Sequence, residues 1–103
     1  MIKATVLYAN QEGGRFDIDY YCNKHMPMVA ERLGAACKGM SVEQGISGMM
    51  PGTPAAFAVI AQMTFESVEA FQNAFAPHAA EILADIPNYT TIQPVIQFSE
   101  VKM

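Results

Sequence analysis

Residues Ala55 to Phe65 read AAFAVIAQMTF, apolar throughout except for Gln62 and Thr64. A run of this kind, bounded by proline and with no turn residue inside it, is a strand covered on both faces. It therefore belongs in the middle of a sheet, and the rest of the chain must supply its neighbours. Ile2 to Ala9 is a strand rich in Ile, Thr, Val and Tyr, with Ile2, Ala4, Val6 and Tyr8 on one side. Cys37 to Met50 alternates in its middle, with Met40, Val42, Gln44 and Ile46 opposite Ser41, Glu43 and Gly45, which predicts a half-exposed strand. Thr91 to Val101 is the last strand, with Ile92, Ile96 and Phe98 toward one face; Pro94 confines it to an edge or a bulge. Asn10 to Gly14, Met49 to Pro54 and Asp85 to Asn88 carry the Gly, Pro, Asn and Asp of loops and turns.

Two helices complete the pattern. In Phe16 to Leu33, Asp17 can cap the first turn and Asp19 suits the helix dipole. Ile18, Cys22, Val29 and Leu33 recur at helical spacing, and Tyr21 and His25 are neighbours on one face beside that stripe. Pro27 has no N–H for the carbonyl of Asn23 and disfavours helical geometry at Met26, so a kink is expected just after His25. Gly34 ends the helix. Ser67 caps the second helix, Val68, Phe71 and Phe75 form its stripe, and Pro77 opens a further turn or short helix to Ala84. The order strand, helix, strand, strand, helix, strand is the ferredoxin-like βαββαβ arrangement. It predicts an α+β domain with a four-stranded antiparallel sheet and both helices on one face. The other face of a strand apolar on both sides then needs a cover, and a second copy of the sheet is the simplest one. A homodimer, its sheets packed face to face or closed into a barrel, is expected.

The 103 residues make one domain, residues 1–103, and a net charge of -4 with scattered basic residues argues against nucleic acid and anionic membrane surfaces as partners. Met1-Ile2-Lys3 runs straight into a strand pattern without a signal segment, and no apolar run approaches the roughly 20 residues that span a bilayer. A soluble cytoplasmic protein is the reading. Cys22 and Cys37 have neither metal-ligand nor redox-motif spacing and are read as free thiols. Gly13-Gly14 lacks the fingerprint of a phosphate loop, so no nucleotide cofactor is expected.

His25 is the residue on which chemistry turns. A titratable ring placed beside an apolar stripe can be an acid, a base, a donor to a ligand, or a core histidine satisfied by hydrogen bonds. Tyr21 is its nearest polar neighbour and Tyr20 the reserve. Cys22, one turn away, raises Cys–His nucleophilic chemistry, but its place on the stripe argues for packing. His78 beside Pro77 reads as a surface or capping residue. His25 and His78 with Asp85 or Glu81 lack ligand spacing, so no metal is expected; haem ligation by His25 has no other support. Of the eight methionines, Met26, Met28, Met40, Met49, Met50 and Met63 fall at core or loop positions; they are either ordinary filling or the walls of an adaptable cavity.

The block F-D-x-D-Y-Y-x-x-x-H-x-P, here Phe16, Asp17, Asp19, Tyr20, Tyr21, His25 and Pro27, resembles the EthD-type proteins. These are named for ethyl tert-butyl ether degradation and belong to the dimeric α+β barrel superfamily. Phe71-Gln72-x-Ala74-Phe75-x-x-His78 and Asp85-Ile86-Pro87-Asn88-Tyr89-Thr90 resemble EthD-type sequences too, so the likeness spans nearly the whole chain. The resemblance implies a homodimer with a cavity between each sheet and its helices. Related barrels include muconolactone-type isomerases, polyketide cyclases and dehydratases, cofactor-free monooxygenases and haem-binding peroxidase-like enzymes. EthD-type proteins often accompany cytochrome P450 systems. By that resemblance the chain is expected to handle an apolar or aromatic oxygenated compound in an oxidative pathway. It would do so by His-centred proton transfer without an organic cofactor, as an isomerase, lyase or oxidoreductase-linked protein. The alternative is a non-catalytic ligand-binding or accessory protein. A polar pair lining an enclosed cavity would favour the first.

Overall fold

The computed structural model describes residues 1–103. Strands β1 (Ile2–Ala9), β2 (Gly39–Gln44), β3 (Phe57–Phe65) and β4 (Val95–Glu100) form one antiparallel sheet in the order β2-β3-β1-β4. The apolar run is interior, as its composition requires, and β4 is an edge with Pro94 just before it. Helical segments α1 (Ile18–Tyr20), α2 (Met26–Leu33), α3 (Val68–Phe75) and α4 (Ala79–Ala84) connect the strands, giving the ferredoxin-like α+β arrangement. Val29, Leu33, Phe71 and Ile82 from the helices pack with Ala4, Val59, Ala61 and Phe65 of the sheet in one core. No helix is long and apolar enough to cross a membrane.

The capping residues act as their types dictate. Asp17 accepts from the backbone N–H of Tyr20 and Ser67 from that of Ala70. Gly34 ends α2 at φ +62, the left-handed region where a Cβ is strained.

Around Pro27 the outcome differs from the sequence expectation. Met26 stays helical (φ -65, ψ -38), and Tyr21–His25 form a π-turn in which the Met26 N–H donates to the carbonyl of Tyr21. Proline offers no N–H and its ring presses on the preceding turn; widening that turn by one residue relieves both problems without a break. The extra residue also rotates the buried face. Tyr21, His25, Val29 and Leu33 form the inward stripe, and Cys22, expected on it, is exposed.

The strands are shorter than their sequence patterns. β2 ends at Gln44, paired with Val59, and Ile46 and Met49 lie exposed in a loop rather than on a strand face. Gly45 passes so close to the backbone of Phe57 and the Cβ of Ala55 that no side chain would fit. β3 is also less two-faced than its run implies. Val59, Ala61, Met63 and Phe65 face the helices, while Ala58 and Ile60 share the outer face with Gln62 and Thr64. On that face Ile60 pairs with Leu7, which pairs with Val95, so the apolar surface is confined to one end.

Candidate functional site

The π-turn stacks the rings of Tyr21 and His25 on one another, 5.4 Å apart and 15° from parallel. Both are buried, His25 to 4% exposure. Backbone pairing places their partner from the far end of the chain. Phe16 bridges Thr90, the Asp17 N–H donates to the Tyr89 carbonyl at 2.7 Å, and the Thr90 hydroxyl donates to the Arg15 carbonyl at 2.6 Å. This clamp presses the Tyr89 ring against His25 at 4.6 Å and against Tyr21 at 4.9 Å. Tyr8, on the inner face of β1, completes the group: its hydroxyl shares a 2.6 Å hydrogen bond with that of Tyr89.

The carboxylate is Asp85, at the end of α4. Its Oδ2 lies 2.8 Å from Nδ1 of His25. Its Oδ1 accepts from the Tyr20 hydroxyl at 2.7 Å and from Nδ2 of Asn88 at 2.9 Å. Partial burial pushes the Asp85 carboxyl up, but the hydrogen bonds from Asn88, Tyr20 and His25 outweigh it and hold the group below its usual value. Asp85 is thus an ionised acceptor, and Nδ1 of His25 must carry the proton between them. Burial lowers the His25 pKa more than the Asp85 bond raises it, so the ring is neutral near pH 7. A neutral ring protonated on Nδ1 leaves its lone pair on Nε2. Nε2 makes no hydrogen bond within the chain, and no buried side-chain nitrogen or oxygen is both sealed and unpartnered. It is therefore open to a ligand.

His25 is one of the residues lining a cavity of about 270 Å³ between the sheet and the helices. Sixteen of its 18 lining residues are hydrophobic; His25 and Pro94 are the others, and no Lys, Arg, Asp or Glu reaches it. The small side chain of Ala4 at the centre of the inner sheet face helps leave this space. At one end stand Tyr8, Tyr21 and Tyr89, the last two with their rings against His25. Burial raises all three phenol pKa values, so they remain protonated hydrogen-bond donors.

Of the residues singled out from sequence, the structure brings His25 and Tyr21 together on the cavity wall. Tyr20 stands apart from the cavity and serves Asp85. Asp85 was set beside His25 in sequence only as a metal-ligand candidate and otherwise read as turn chemistry, so its hydrogen bond to the ring was not foreseen; Tyr8 and Tyr89, which read as strand and turn residues, were missed. A tyrosine on the inner side of a strand carries one signal, since its hydroxyl must find a partner when buried. His78 does not join the group, and no cluster of three or more His, Cys, Asp and Glu is arranged to hold a metal.

The pH dependence of stability follows from these shifts. The unfolded His25 titrates near 6.5 and the folded ring lower, so below about pH 6.5 the unfolded chain takes up the proton first. Stability from this group is full above that pH and is lost as pH falls toward the folded value; the lowered Asp85 extends the loss into stronger acid. Thermal denaturation of wild type is expected to show a falling Tm between about pH 7.5 and 5, and His25→Gln a flatter profile. Parallel profiles would contradict the assignment of a neutral buried ring.

The EthD domain matches residues 15–93. The crystal structure of an EthD-like protein from Ralstonia eutropha is 50% identical with a TM-score of 0.95, covering 99% of this chain and 92% of that one. An ethyl tert-butyl ether degradation (EthD) family protein from Bacillus halodurans is 19% identical with a TM-score of 0.67, covering 99% of each chain. A protein of Arabidopsis thaliana is 15% identical with a TM-score of 0.71, covering 100% of this chain and 97% of that one. The last two show the fold alone. No curated protein matches the chain.

Proposed function

The chain belongs to the EthD family, and on that footing we propose that it moves a proton on a small, uncharged, largely apolar molecule bearing an oxygen, with His25 as the base. The observation that carries this reading is the Asp85–His25 pair at 2.8 Å, with Nε2 unpaired and the His25 ring lining a cavity otherwise walled by apolar and tyrosine side chains. Nε2 takes a proton from a carbon made acidic by a neighbouring carbonyl. The tyrosine hydroxyls stabilise the negative charge that develops on the oxygen. The Tyr8–Tyr89 bond uses only one of its two hydroxyl protons, so one remains for the ligand. The imidazolium that forms is stabilised by ionised Asp85, then returns its proton at the same or another carbon. Exchange, isomerisation, cyclisation and elimination all begin with this step. Ether degradation, named for the family of the Bacillus protein, is a fitting setting: metabolism of an oxygenated apolar compound. The unpaired Cys22 and Cys37 fit a reducing, cytoplasmic compartment.

The test uses simple neutral ketones in D2O, with deuterium incorporation at the carbon beside the carbonyl followed by NMR. Enzyme-dependent exchange supports the reading. Ketones that bind without exchange would make the chain a ligand-holding accessory protein instead.

The same proposal includes a homodimer through the outer sheet face. Leu7, Ala58, Ile60 and Val95 form its apolar end, and Val95 is 60% exposed. Sedimentation is expected to show a dimer at micromolar concentration. Ile60→Glu, which places a charge in that interface, should weaken association by about a hundredfold or more. A wild-type monomer under those conditions would remove the dimer from the account.

A further inference from the structure

The cavity has a direction. Along β1, Ala4 pairs with Met63 and Phe98, Val6 with Ile96, and Tyr8 with Val59. From Ala4 to Tyr8 is four residues of strand, about 13 Å. At the Tyr8 end stand the tyrosine hydroxyls and His25. At the Ala4 end, Phe98 meets the edge of the Phe71 ring at 5.1 Å, and Phe75 stacks on Phe71 at 5.1 Å. Phe71 is itself backed by fully buried Phe65 at 5.2 Å, so this end is a wall of rings supported from behind. With no ionic side chain on the lining, a charged ligand would lose its hydration without a partner.

We propose that the ligand is a neutral phenol or ketone with a hydrocarbon tail, and that Phe71 sets the tail length. The oxygen sits at the Tyr8 end and the tail runs back along β1 until it meets the Phe71 ring. The placement of the oxygen rests on the function proposed above; the length limit does not, because the tail touches no group used in proton transfer. Ala4, at the foot of the same wall, is the second position that controls the space.

The experiment is calorimetric titration of the protein with 4-alkylphenols of increasing tail length and the matching 4-alkylbenzoates. Affinity for the phenols is expected to rise about fourfold per methylene, the usual gain for burying a CH2, and then to stop rising at one length. Phe71→Ala should move that stop to longer tails. Since Phe71→Ala removes a core ring and can unfold the domain, Ala4→Val provides a second reading by adding bulk to the cavity. It should move the stop to shorter tails. The benzoates should bind at least about a hundredfold more weakly than phenols of equal length, since their charge enters unpaired. The proposal is overturned if no phenol binds, if affinity shows no stop, if the stop is the same in the folded variants, or if the benzoates bind as well. A stop that moves as stated in a protein that exchanges no ketone proton would sustain this inference while ending the proton-transfer reading.

Discussion

His25→Ala is expected to lower the rate of ketone proton exchange by about 10²–10⁴-fold, the usual contribution of a general base. The protein should remain folded. The ring is buried, but its removal leaves space on a cavity wall rather than a hole in close packing, and Asp85 keeps the hydrogen bonds from Tyr20 and Asn88. Exchange rates followed by NMR, with circular dichroism to confirm the fold, read the two effects separately. His25→Gln discriminates further. It keeps a hydrogen-bonding side chain for Asp85 but has no basic lone pair, so it should be as slow as alanine. Full activity in His25→Gln would make the histidine a structural residue.

The next largest effect is expected at Asp85, which acts through His25 and touches no ligand. In Asp85→Asn an amide faces Nδ1, and its NH2 group can donate there. The ring can then take the other neutral form, with its proton on Nε2, where it cannot accept one. Such a tautomer change underlies losses of up to about 10⁴-fold in the serine proteases. Here we expect about 10²-fold or more in turnover with little change in ligand affinity, because Asp85 is outside the cavity lining. Steady-state kinetics should show a fall in kcat at nearly constant KM. A rise in KM alone would mean that Asp85 shapes the cavity rather than the base. The variant also replaces a charged acceptor of three hydrogen bonds, so a stability loss of about 1–3 kcal/mol accompanies it.

Most of the fold was legible because its signals are local. The apolar run in β3, the caps at Asp17 and Ser67, the stop at Gly34 and the edge proline at 94 each dictate structure within a few residues. The ends of β2 and β4 were not, since where a strand leaves its ladder depends on partners and loops remote in sequence. Pro27 shows a different failure. The strain was visible, but a helix can relieve it either by breaking or by widening, and only packing of Tyr21, His25, Val29 and Leu33 on one face selects the second. The site divides the same way. Tyr21 and His25 lie on one helix, so their spacing revealed them. Asp85, Tyr89 and Tyr8 come from distant segments, brought in by the pairing of residues near Phe16 with those near Thr90.

Burial keeps the His25 ring neutral and Asp85 fixes its one proton on Nδ1, which leaves Nε2 as a free base. The measurement that tests this assignment most directly is nitrogen NMR of the His25 ring in wild type and Asp85→Asn. A proton on Nδ1 and a bare Nε2 are expected at neutral pH, with a pKa below that of an ordinary histidine. A bound 4-alkylphenol should shift the Nε2 signal, and Asp85→Asn should move the proton to Nε2. A proton on Nε2 in the wild-type protein, or a ring that is doubly protonated at neutral pH, would contradict it.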